Sequence, residues 1–206
     1  IDSRADLARS INLMLADFDR HSLSEAQIAG FVGDGVWVLV RRALQASDPN
    51  SKAPDDAMAA RALESMRRHY AEQMFVSTHL YPHVPETLAR LNGRQVGLVT
   101  SKERDFARTL LDRLGIARYF DCIIGGDTLP ERKPDPKPVL EALRQLGVPA
   151  GDAVMIGDSE NDIYAGARAG THTCGVTYGF RTAEELKVAS PEVLVDGIDQ
   201  VLEHFC

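Results

Sequence analysis

Two carboxylates, Asp158 and Asp162, stand in Gly157-Asp158-Ser159-Glu160-Asn161-Asp162, directly after the apolar run Ala153-Val154-Met155-Ile156. The run reads as a buried strand and the acids as its exit into a helix. In an open α/β sheet, ligands bind outside the carboxyl ends of the strands. Acids placed there suit a hard cation such as Mg²⁺, which takes oxygen ligands. Their plainer reading is a turn residue and a helix-start charge favoured by the dipole. Thr100 closes a second run, Val96-Gly97-Leu98-Val99, and Asp127 follows a third, Cys122-Ile123-Ile124. Between Asp127 and Asp158 lies Arg132-Lys133-Pro134-Asp135-Pro136, a lysine stiffened by two prolines. An acid pair, a hydroxyl and a fixed lysine on one sheet edge suit phosphoryl chemistry. Metal and lysine offset phosphate charge, while hydroxyl and backbone amides hold its oxygens. Taken singly, Thr100 is an ordinary strand-end hydroxyl, Lys133 a solvated loop lysine, and Asp127 either a supporting acid or a turn residue. Their order along one edge favours function for the first two.

The elements that must position these groups change character near residue 80. Before it the pattern is helical. Asp2 or Ser3 caps a helix with Leu7, Ile11, Met14, Leu15 and Phe18 on one face. Ser24-Glu25-Ala26-Gln27 is a capping-box pattern leading to Ile28 and Phe31. After Gly33-Asp34-Gly35 a stripe runs through Val36, Leu39, Val40 and Leu44. A Pro-, Asp- and Asn-rich loop spans Asp48 to Asp55, and a further helix aligns Ala59, Ala62, Met66, Tyr70 and Met74. This predicts a small bundle of three to four helices over residues 1–80. From 81 to 206, short apolar runs alternate with amphipathic helices. One helix carries Phe106, Leu110, Leu111 and Leu114 and stops at Gly115. Another opens at Asp135-Pro136, runs through Val139, Leu140, Leu143 and Leu146, and closes at Gly147. With strands at 153–156, 173–176 and 193–195, the alternation predicts an α/β fold with a parallel, doubly wound, Rossmann-like sheet.

At 206 residues, 44% hydrophobic and 26% charged, the chain has the composition of a soluble globule. A net charge of −7 excludes a general nucleic-acid binder, because no basic stripe faces a phosphate backbone. A small anionic metabolite remains open as a partner, since helix N-termini and local cations hold anions. No apolar stretch approaches the roughly 20 residues that span a bilayer. Without a signal pattern, and with widely spaced Cys122, Cys174 and Cys206, the expected compartment is a reducing cytoplasm. The six histidines show no ligand spacing and read as non-catalytic. Trp37 and the methionines read as packing, and Arg41-Arg42 as a solvated face. Oligomeric state is not legible.

The ordered motifs resemble the haloacid dehalogenase superfamily, most closely its phosphoglycolate phosphatase branch. Leu98-Val99-Thr100-Ser101-Lys102 is similar to the second superfamily motif, whose Thr or Ser binds phosphate. Lys133 within Lys133-Pro134-Asp135-Pro136 is similar to the third, and Gly157 to Asp162 to the fourth, whose acids hold Mg²⁺. Tyr81-Pro82, Tyr178-Gly179 and Gly33-Asp34-Gly35 also resemble the branch. The resemblance implies a helical cap before the core and a Mg²⁺-dependent phosphatase of a small phosphomonoester, 2-phosphoglycolate first. Its implied site residues are Thr100 and Lys133 as catalytic groups, with Thr100, Ser101, Lys133, Gly33 and Gly35 toward substrate. Asp158 and Asp162 are the implied metal residues, Asp158 directly and Asp162 through a water or Lys133. Gly33 and Gly35 read otherwise as a helix-to-helix turn.

One departure is expected to matter. The family's first motif, an Asp-x-Asp-Gly-Thr strand end with the aspartyl nucleophile and the general acid, should lie just before Ile1-Asp2-Ser3. Taken literally, the chain lacks that attacking carboxylate, a metal ligand and the acid. It also lacks a strand that the family places between those ending at Thr100 and Asp158. Each large apolar side chain so exposed forfeits roughly 1.5–3 kcal/mol, against a total stability of about 5–15 kcal/mol. The expectation is therefore a fragment of a longer enzyme, or a chain that borrows a strand. Rival readings are a phosphosugar phosphatase or mutase, separable by a substrate panel, and an inactive binding protein that holds Mg²⁺ or phosphate without turnover. A dehalogenase would need no metal, and the acid pair argues against it.

Overall fold

The computed structural model describes residues 1–48 and 53–205. The loop expected over 48–55 lies partly outside the described residues, at 49–52, and so does Cys206. The chain divides into two compact units, Ile1–His79 and Leu80–Cys206.

The first unit holds α1 (Arg4–Asp17), α2 (Glu25–Gly30), α3 (Val36–Ser47) and α4 (Asp56–Gln73). Their period-3.6 stripes form its core: Ile11, Met14 and Leu15 of α1 and Ala59, Ala62, Met66 and Tyr70 of α4 are all buried. Local chemistry sets the ends. The Asp2 carboxylate accepts the Arg4 amide at 3.1 Å, so Asp2, not the Ser3 side chain, caps α1. Ser24 and Gln27 form the reciprocal capping box of α2. Asp2 and His79 pair as an isolated antiparallel bridge, which ties the two ends of the unit together. Beneath it the Asp6 carboxylate, wholly buried, accepts the amides of Val76, Ser77 and Thr78 and the Thr78 hydroxyl at 2.8–3.0 Å. Arg9 approaches the same carboxylate at 3.2 Å.

The second unit alternates as expected: α5 (Val84–Arg90), β1 (Gly97–Val99), α6 (Arg104–Arg113), β2 (Cys122–Ile124), α7 (Lys137–Leu146), β3 (Val154–Gly157), α8 (Glu160–Ala169), β4 (His172–Val176), α9 (Ala183–Val188), β5 (Val193–Val195) and α10 (Val201–Phe205). All strand pairs are parallel, but among the described residues they form two sheets, β1-β2 and β3-β4-β5. The expectation was a parallel, doubly wound sheet without the strand that the family places between those ending at Thr100 and Asp158. β1 and β3 exchange no ladder bonds, yet Val99 and Met155 pack on one cluster, with Val139 and Leu143 of α7 and Ala165 and Ala169 of α8. Four of the five β4 residues are buried, whereas every residue of β3 is half-buried. Leu140 also departs from expectation, at 44% exposed. The buried stripe of α7 runs through Val139, Ala142 and Leu143, and Leu140 lies one position off it. No described helix is long and apolar enough to cross a membrane.

Candidate active site

The carboxyl ends of β1 and β3 deliver the groups read from the sequence. Thr100 follows β1; its backbone amide continues the ladder to the Ile124 carbonyl at 2.9 Å, and its hydroxyl accepts the Lys102 amide at 3.1 Å. Ser101 lies next to it in the turn into α6. Lys133 is drawn inward, its side chain 8% exposed. Its Nζ donates to the Val99 carbonyl at 2.7 Å and to Asp162 Oδ1 at 2.6 Å. One ammonium thus links the end of β1 to the first turn of α8, across the place where the sheets part.

The two acids differ in what they hold. Asp162 Oδ1 takes Lys133, while Oδ2 takes the Ser159 hydroxyl at 2.7 Å and the Ser159 amide at 3.1 Å. Both its oxygens are turned to protein donors, so its place is beside Lys133. Direct coordination of a cation would cost it one of these bonds. Gly157 makes the approach possible, because a Cβ there would stand 2.5 Å from Asp162 Oδ2 and closer still to Cγ. Asp158 accepts the Phe180 amide on Oδ2 at 2.9 Å. Burial first, and then the neighbouring charge of Asp162, push its carboxyl above the ordinary value of 3.8, against the pull of that amide and of Lys133. An acid held that way is relieved by a cation.

Asp127 accepts the Arg104 amide at 2.8 Å, which makes it a cap for α6 donated by a neighbouring loop. Gly33 and Gly35 lie in the first unit at φ 135° and 87°, with Gly35 as the N-cap of α3, and Asp34 between them pairs with Arg42 at 2.7 Å. The turn needs these glycines whatever else they do. Cys122 and Cys174 are buried and free, and burial pushes the Cys174 thiol to about 11, so neither offers a nucleophile.

Among the described residues no group of three or more His, Cys, Asp or Glu gathers that could hold a metal. Mg²⁺ needs less from a protein, because it keeps several waters and binds through one or two carboxylates plus substrate phosphate. Asp158 fits that demand. Sequence reasoning did not find the Phe180 amide or the Arg181–Glu160 ion pair, 3.2 Å across the mouth of α8. A backbone donor leaves no residue signature; the glycine at 179 was its visible trace.

Comparison with known proteins is consistent along the whole chain. Residues 1–176 match the family model described as haloacid dehalogenase-like hydrolase. A phosphoglycolate phosphatase of Pseudomonas syringae pv. tomato is 36% identical over 204 residues, covering 98% of this chain and 74% of that protein. One from Colwellia psychrerythraea is also 36% identical, covering 98% and 90%. The crystal structure of a predicted phosphoglycolate phosphatase from Haemophilus somnus superposes with a TM-score of 0.91 at 30% identity, over 98% of this chain and 91% of that one. With the three ordered motifs at the sheet edge and a family match over most of its length, the chain belongs to the haloacid dehalogenase-like hydrolases.

Proposed function

We propose that this chain is the body of a Mg²⁺-dependent phosphatase that hydrolyses 2-phosphoglycolate to glycolate and phosphate. The observation that carries the reading is the Lys133 ammonium held between the Val99 carbonyl and Asp162, beside Thr100 and Asp158. Thr100 and Ser101 hold phosphate oxygens, and Lys133 offsets their charge while Asp162 fixes its position. Asp158 holds the metal, which supplies positive charge where the phosphoryl group carries negative. The attacking carboxylate and the general acid are assigned to aspartates ahead of Ile1, on a strand seated between β1 and β3. Among the described residues β1 and β3 each have a ladder partner on one edge alone, which supports this, as does their shared cluster with α7 and α8. That carboxylate attacks phosphorus to give an aspartyl-phosphate; the second acid protonates the departing glycolate and then activates the water that releases phosphate. The names of the relatives support the substrate.

The test is phosphate release from 2-phosphoglycolate by two polypeptides, one starting at Ile1 and one with an Asp-x-Asp strand ahead of it. The expected result is turnover by the longer polypeptide that EDTA abolishes, and none by the shorter. Turnover by both would overturn the placing of the nucleophile. Preference for a phosphosugar over 2-phosphoglycolate would overturn the substrate.

A further inference from the structure

The loop that follows β4 approaches Asp158 more tightly than a connection requires. Phe180 donates its amide to Asp158 Oδ2 at 2.9 Å. At Gly179, an added Cβ would stand 2.5 Å from Asp158 Cγ and closer still to Oδ2 and Cβ. The backbone there does not itself call for glycine, since Gly179 is not among the positive-φ residues. Contact with the Asp158 side chain is what excludes a larger residue. The loop is pinned on both flanks. Tyr178 sets its ring edge against Tyr81, centroids 4.8 Å apart, and packs on the cluster of Cys174, Val176 and Val195. On the other side, Arg181 pairs with Glu160 in the first turn of α8, its side chain 13% exposed.

Resting on the phosphatase reading, we infer that residues Tyr178–Arg181 are a clamp that positions Asp158 for the metal, with Gly179 as the residue that lets the clamp close. Phe180 holds one carboxylate oxygen and so fixes the direction the other presents. Arg181 holds the loop down. These are positioning residues: they reach the metal through Asp158. Groups that orient a metal ligand in this way typically govern about 10–100-fold in metal affinity.

The experiment is a Mn²⁺ titration of the metal-free polypeptide that carries the Asp-x-Asp strand ahead of Ile1, followed by electron paramagnetic resonance, with Mg²⁺ as competitor, alongside the thermal midpoint without metal. Wild type and Asp158→Ala come first. Binding that Asp158→Ala removes upholds the metal assignment; no Mg²⁺-competed binding in wild type sinks that assignment and the clamp with it. Gly179→Ala is then expected to bind Mn²⁺ at least 10-fold more weakly, with saturation recovered at higher metal. Unchanged affinity would overturn the clamp while leaving the metal assignment intact. A lowered midpoint with wild-type affinity would do the same, since it marks a role in folding alone. Should Gly179→Ala not fold, Arg181→Gln adds no atom beside Asp158 and carries the test: a several-fold loss of affinity is expected, and none overturns the proposal.

Discussion

Asp6 in the first unit and Asp158 in the second are both carboxylates drawn away from water, and the protein treats them in opposite ways. Burial alone would raise Asp6, but the amides of Ser77, Thr78 and Val76 and the Thr78 hydroxyl outweigh it, and its carboxyl sits below the ordinary value. Asp158 has the Phe180 amide, its own amide and Lys133 to set against burial and the charge of Asp162, and its carboxyl sits above. The difference lies in donors. Surrounded by N–H and O–H groups, an acid becomes a structural fastening that leaves nothing to bind. An acid left short of donors beside a like charge is held ready for a cation. Residue type and burial do not separate these roles; the list of donors does.

The sharpest way to break the comparison is to make the same substitution in both places. Asp6→Asn removes the charge that three backbone amides address and sets an NH₂ against them. Each buried donor left without its acceptor costs about 1–3 kcal/mol, so the loss is expected to be on the order of 3–5 kcal/mol, read as a fall in the denaturant midpoint. A loss under about 1 kcal/mol would show that the loop at Val76–Thr78 finds other acceptors, and the contrast with Asp158 would collapse.

Lys133→Met asks whether the second unit contains a fastening of the first kind. It removes the donor to both the Val99 carbonyl and Asp162, from an ion pair whose two side chains are each 8% exposed. Asp162 keeps the Ser159 hydroxyl and amide. The expected loss is therefore smaller, about 2–3 kcal/mol, measured by the same unfolding curve.

These predictions also mark what was legible beforehand. The stripes of α1, α3 and α4 stood in the sequence because a helical period records burial directly, and the Ser24 box recorded the start of α2. That Thr100, Lys133, Asp158 and Asp162 stand at or beside the ends of β1 and β3 was legible because strand ends and an acid pair are local patterns. Asp6 was not: an acid on a helix reads as solvated, and its donors lie some seventy positions on. The short helix α5 went unread for want of a stripe long enough to show a period. The α9 helix carried a signal, the Thr182–Glu185 capping box, that was there to be used. That β1 and β3 exchange no ladder bonds is a fact about pairing, which no single run of residues encodes; only the resemblance to a family with a strand between them pointed to that place. The different work of Asp158 and Asp162 depends on the Ser159 and Phe180 donors, and so on geometry.

Asp158→Asn should move stability in the opposite direction from Asp6→Asn. Removing a charge that the fold disfavours is expected to stabilise the metal-free chain by about 1 kcal/mol at neutral pH. The pH dependence has a fixed sign. The folded carboxyl lies above 3.8, so the folded chain binds the extra proton and stability falls as pH rises through that folded value. The gap between wild type and variant should be absent below 3.8 and open above it. Asp6 gives the reverse: its contribution is full above 3.8 and is lost as pH falls through its lowered folded value. Thermal midpoints across an acid series check both. Saturating Mg²⁺ should raise wild type and leave Asp158→Asn where it was.

The smallest effect is expected where the eye first goes for a partner. Arg9 stands one helical turn from Asp6 and reaches its Oδ1 at 3.2 Å, the geometry of an i,i+3 ion pair. If the counter-charge held Asp6 in its buried site, Arg9→Gln would approach Asp6→Asn in cost. The arginine side chain is 40% exposed, however, and exposed cations contribute about 0–1 kcal/mol to such pairs because water and salt screen them. The carboxylate meanwhile keeps the amides of Val76, Ser77 and Thr78 and the Thr78 hydroxyl after the substitution. Arg9→Gln should therefore cost under about 0.5 kcal/mol, and the cost should shrink further in high salt. A loss of several kcal/mol that salt removes would place the fastening in an ion pair and no longer in backbone donors. Asp6 would then depend on a side-chain cation as Asp162 depends on Lys133.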